Sequence, residues 1–349
     1  MPGKVITALA CAVFALSAHA QSTLPKFLGA QSCASASCHG GADEKHNQNI
    51  IWAQKDFHTR APATLTIGRS RLMLQTLKGE DAATDSRCTT CHNPFQVVPA
   101  ERKGPLVQKL EGVSCESCHN AAESWLLTHT RNDLSYAQKV SAGMRDLKNL
   151  YVRANTCVAC HQNIDAQVRG AAHPELIFEL DGQCATMPRH WTETNRLTGA
   201  QVWFVGQAVA LREAVTQAKE SSATDEIKAR ANAIAFVLGV KAEHDVADAT
   251  ARNAAIGEWT GDEVRAQLDK LANKDVARGG NATEIAMRAE RIILGLDRLT
   301  SALELNKHAA VSAALDALFR SVQSRPDFDS AKFASELKRF RDALGQPAP

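Results

Sequence analysis

Aromatic side chains are scarce in this sequence. Phe, Trp and Tyr together make up 5% of 349 residues, and only two tyrosines are present. Large rings ordinarily supply much of a buried interior, so something else must occupy part of this one. A dominant charge is also missing. Forty Lys and Arg face 38 Asp and Glu for a net +2, with no dense basic stripe, which excludes nucleic acid as a partner. Long apolar runs are absent beyond residue 20, and none approaches the roughly 18 uncharged residues a membrane span needs. The mature chain therefore has no transmembrane segment. The single apolar run lies in "MPGKVITALACAVFALSAHA", where Lys4 precedes Val5 to Ser17 and small residues close the stretch. That pattern predicts a signal peptide over residues 1–20, cut after Ala20, and export to the periplasm. Cys11 leaves with it.

What the chain does have is cysteine and histidine in a repeating order. Three segments read CxxCH: Cys88, Cys91 and His92; Cys115, Cys118 and His119; Cys157, Cys160 and His161. A fourth, "SCASASCHG", places Cys33 and Cys38 before His39 with two extra residues in the spacer. Disulfides suit an exported chain, but a pair three residues apart closes a tiny loop and leaves the recurring histidine unexplained. Zinc could use the pairs two by two, with each adjacent histidine idle. A thioredoxin-like motif needs a strand–helix context that is not visible. Covalent attachment of c-type haem uses every residue of the pattern. The two thiols bond the porphyrin, and the following imidazole binds its iron. Four c-type haems are expected, with His39, His92, His119 and His161 as proximal iron ligands. At the first site the longer spacer must bulge to bring both sulfurs to the ring.

Each iron has a second face, and its occupant sets what the metal can do. The unused histidines of the cysteine-bearing part are His46, His58, His129, His173 and His190. His58, His129, His173 and His190 are the favoured distal ligands. His46, in the polar "DEKHNQN", reads as solvated, and is the first substitute should one of the four fail. His244 and His308 lie on polar helical faces, structural or exposed. Cys184 and Met187 are read as packing residues rather than ligands.

The motifs occupy residues 28 to about 192, about one haem per 40 residues. Haem itself then becomes the core of a loop-rich domain over 21–196, which accounts for the missing aromatics. From 197 to 349 the pattern changes to one-faced helices. Phe204, Ala208, Leu211, Val215 and Ala218 step by three and four. So do Ile227 to Leu238, Ile285 to Leu299 and Phe333 to Leu344. "TGDE" at 260–263 is a capping box, and "RGG" at 278–280 breaks the chain. The fold class is mainly α: a multihaem cytochrome c domain followed by an antiparallel helical bundle.

On "GAQSCASASCHGG", "WAQKDFHTRA", "EGVSCESCHNAAESWL" and "NTCVACHQN" with "HPEL", residues 28–192 resemble the multihaem cytochrome c superfamily, particularly tetrahaem cytochromes of the c-554 type. The resemblance implies stacked haems that pass electrons between periplasmic or membrane-bound redox proteins. It carries the proximal role to His39, His92, His119 and His161, and supports His58, His129 and His173 as distal ligands, with His190 beside them. Two functions follow. If histidine seals both faces of every iron, the protein is an electron carrier. With one open face it would be an oxidoreductase acting on a small nitrogen or sulfur compound, although no CxxCK motif is present, and only Tyr136 and Tyr151 could supply a crosslink.

Overall fold

The computed structural model describes residues 24–193, 195–323 and 328–345. The signal-peptide segment, Cys11 included, lies outside them. Among the described residues the fold is mainly α: short helices joined by 3-10 turns and loops up to residue 186, then longer helices. The first group is α1 (Gln48–Lys55), α2 (Gly68–Thr76), α3 (Ser86–His92), α4 (Cys115–His119), α5 (Leu126–His129), α6 (Tyr136–Ser141), α7 (Leu150–His161), α8 (Ala166–Gly170) and α9 (Leu180–Thr186). The second is α10 (Thr198–Ala218), α11 (Asp225–Leu238), α12 (His244–Ala254), α13 (Gly261–Ala272), α14 (Ala282–Ala302), α15 (Ala309–Ser321) and α16 (Ser330–Leu344). Among the described residues, the one bridge of extended backbone pairs Phe27 with Lys103.

The apolar stripes anticipated in the second group do line its core. Leu211, Ile234, Leu238, Ile292, Leu296, Leu299 and Phe340 are fully enclosed. Helix α10 is the centre, packed against α11, α12 and α14. Thr260 and Glu263 form the anticipated reciprocal cap of α13. Close approach of α14 to α10 depends on Gly295, where an added Cβ would lie 2.5 Å from the Trp203 ring.

This core does not stop at residue 197. Leu150, Ala154 and Val158 of α7, with Phe178, Leu180 and Cys184, belong to the same cluster. Polar bonds reinforce the junction. Gln162 donates to the Ala210 carbonyl (2.9 Å) and its own carbonyl accepts from Gln217 (2.8 Å). Tyr151 and Arg212 both donate to Asp248, at 2.7 and 2.8 Å. Glu179 accepts from Gln207 and Arg291. One CxxCH helix is thus gripped by the helical half.

The opening of the cysteine half is held by buried carboxylates. Glu116 accepts backbone N–H bonds from Leu28, Gly29 and Ala122, and Glu111 accepts from Ala30 and Gln108. Gly29 sits at φ +91°, with the Leu106 carbonyl 2.5 Å from where a Cβ would be, so only glycine fits there.

Candidate functional site

Helix geometry explains the CxxCH spacing. Residues i, i+3 and i+4 share one helical face, so both thiols and the histidine point to the same side. The three regular motifs sit on α3, α4 and α7, and each of these helices ends at its histidine: His92, His119 and His161. We refer to the motif beginning at Cys33 as site 1, those at Cys88 and Cys115 as sites 2 and 3, and that at Cys157 as site 4. Site 1 achieves a similar closure without a helix. The His39 amide donates to the Cys33 carbonyl (3.1 Å), and turns to the Ser35 carbonyl loop out the extra residues.

Each motif histidine faces one other histidine ring. His39 pairs with His129 at 6.1 Å between ring centroids, and His92 with His173 at 6.5 Å. His119 pairs with His190 at 6.5 Å, and His161 with His58 at 6.0 Å. No ring is shared between pairs. His46 takes no part in them. It is bonded to Asp43 and half-exposed. An imidazole nitrogen lies about 2.0–2.1 Å from a bound first-row metal such as zinc, so one ion between two such rings holds their centroids roughly 6 Å apart. Among the described residues no group of three or more His, Cys, Asp or Glu could hold a metal ion. The rings come in twos, as axial ligation of a metal already held in a macrocycle requires.

Residues 32–120 match the family of cytochrome c554 and c-prime. The matched stretch is about a quarter of the chain and contains the motifs of sites 1, 2 and 3 together with His58. The match supports a c-type cytochrome that carries electrons on covalently bound haem c. No curated protein and no solved structure matches the chain.

Other features suit the cytochrome c likeness. A histidine that binds metal through Nε2 needs a partner at Nδ1 to fix its tautomer and orientation. Five of the eight paired rings face an acceptor there. His39 donates to Gln48, His58 to Asp56, His92 to Thr64, His129 to the Leu126 carbonyl and His173 to the Pro174 carbonyl, while His161 Nδ1 faces the amide nitrogen of Gln183 at 3.2 Å. Burial pushes the basicity of His92, His129, His161 and His190 down, and that of His119 to about 4. These rings are neutral at pH 7, with a lone pair available.

Buried polar atoms without partners gather around the same rings. They include Trp125 Nε1 beside His129, Gln183 Oε1 beside His161, and Trp191 Nε1 beside His190 Nδ1, itself orphaned. Orphans of this kind call for a partner, and haem brings carboxylate acceptors for the indole donors.

The thiols link the sites. Interaction between the neighbouring Cys33 and Cys115 thiols lowers the pKa of Cys33 and raises that of Cys115. Cys91 and Cys160 are related in the same way. Site 1 therefore touches site 3, and site 2 touches site 4. Burial raises the Cys157 thiol to about 12, with added repulsion from Cys184 and from Cys118 of site 3.

Sequence reasoning missed Asp56, Gln48, Thr64, Gln183 and Glu116. Asp56 carried a signal in "KDFH": an acid two residues before a histidine can cap the turn and reach the ring. Glu116 stood between the cysteines of site 3. Gln183 is 22 residues from His161 and had no local signal. Among the sequence-chosen packing residues, Cys184 is buried in the helical core.

Proposed function

We propose that the chain is an exported, periplasmic tetrahaem c-type cytochrome that carries electrons between periplasmic or membrane-bound redox proteins. Cys33 and Cys38, Cys88 and Cys91, Cys115 and Cys118, and Cys157 and Cys160 bond the four porphyrins. His39, His92, His119 and His161 are the proximal iron ligands, and His129, His173, His190 and His58 are their respective distal partners. The observation that carries this reading is the one-to-one pairing of rings at 6.0–6.5 Å. Bound haem supplies a one-electron Fe(III)/Fe(II) couple.

The protein's part is to hold both axial rings, exclude water from between them and keep the sites close together. Two rings at every motif leave no face open for a substrate, which favours the carrier over an oxidoreductase. Export rests on the segment before residue 21. Among the described residues no helix is long and apolar enough to cross a membrane.

The test is to replace His58, His129, His173 and His190 by Ala one at a time in the haem-loaded protein. Each variant should convert one of four low-spin EPR components to high-spin, and the wild type should show no Soret change with CO. A CO shift in the wild type, or a variant with an unchanged spectrum, contradicts the assignment.

A further inference from the structure

The four ring pairs differ in what stands behind them. Behind His39 is an amide, behind His92 a hydroxyl, behind His129 and His173 backbone carbonyls, and behind His161 an amide. Only His58, among the paired rings with a described Nδ1 partner, is backed by a carboxylate. Its Nδ1–H donates to Asp56 Oδ1 at 2.9 Å, and its backbone N–H donates to the same atom at 3.0 Å. Asp56 is only 5% exposed, so water screens its charge weakly. It also interacts electrostatically with His190, the second ring of site 3. Arg153 lies near site 4 with the opposite sign, but it is engaged by Glu193 at 2.5 Å.

A carboxylate behind a ligating imidazole makes that ring more basic and fixes its direction. A more basic ligand, with a negative charge close by, stabilises ferric over ferrous iron. We propose that Asp56 is a positioning residue that holds down the reduction potential of site 4 and, more weakly, that of site 3. This rests on the haem assignment above. Its consequence is an uneven set of potentials, with the depression greatest at site 4.

The experiment is a redox titration of the full haem-loaded chain, followed optically and by EPR, for wild type, D56N, D56S and D56E. Asn and Ser both retain an N-cap oxygen for the His58 amide and remove the charge. One component should move positive by about 59 mV, which corresponds to a tenfold change in the ferric-to-ferrous ratio for one electron. It should be the component that H58A converts to high-spin. A second should move less in the same direction, two should stay, and D56E should lie nearer the wild type. Equal movement of all four, no movement, or a largest movement in a component other than that of His58 overturns the proposal. Loss of one haem in both D56N and D56S with full loading of D56E also overturns it, since Asp56 would then serve assembly alone. A wild type with no bound haem would instead refute the underlying assignment.

Discussion

The two halves of this molecule solve the problem of an interior differently. In the helical half, Leu211, Ile234, Ile292, Leu296 and Phe340 close on one another until nothing of them meets solvent. In the cysteine half, the one apolar cluster confined to it among the described residues consists of Leu65, Leu74 and Ala82. That half also carries nearly all the large apolar side chains left in solvent, among them Phe57 next to His58, Leu127 near His129, Ile67 and Leu72. Exposed apolar surface of that extent marks a face that something covers. On the haem reading the covering is four porphyrins, and the polypeptide supplies their clamps. The junction belongs to both halves, because α7 carries site 4 at its end and buries Leu150, Ala154 and Val158 in the helical core, with Cys157 packed against it.

Removing the covering is the strongest way to break this comparison. With all eight motif cysteines replaced by Ala, the cysteine half should lose protection against limited proteolysis. The helical half should remain protected and keep its far-ultraviolet signal. Equal protection of both halves would contradict the account. Core truncation sharpens it at the next scale. Ile292→Ala should cost about 2–5 kcal/mol in the unfolding of the helical half. Leu65→Ala should cost less than half as much in the haem-loaded protein, as denaturant titration would read. At the junction, Gln162→Ala removes the side-chain bond to the Ala210 carbonyl, which keeps its helical donor, and should cost about 0.5–1.5 kcal/mol. Site 4 should become the first to release its low-spin signal on heating.

The smallest effect concerns Asp248. Burial pushes its carboxyl up, but bonds from Tyr151, Arg252 and Arg212 outweigh that and hold it below the usual range. A carboxyl depressed on folding stabilises fully above its unfolded value, about 3.9. That contribution is lost as pH falls below it. Asp248→Asn should therefore lower stability by about 1 kcal/mol at pH 7, and the gap in Tm should close below about pH 4.

The helical half was legible because one-faced periodicity is a local property. Phe204 to Ala218 and Ile285 to Leu299 display it without reference to any other segment, and both lie on helices, α10 and α14. The motif residues were legible because CxxCH is an i, i+3, i+4 pattern. Pairing was not. His129 meets His39 from 90 positions away, and His190 meets His119 across a different loop, so spacing alone could nominate the rings but not match them. The grip of α7 by the helical half escaped for the same reason. Gln162 and Gln217 are ordinary polar residues until the fold puts them together.

The most direct measurement is the intact mass of the purified mature protein combined with a pyridine haemochrome count. The account predicts a chain beginning after Ala20, heavier than its polypeptide by four haems and with four haems per chain in the spectrum. A colourless product carrying the polypeptide mass alone would contradict it.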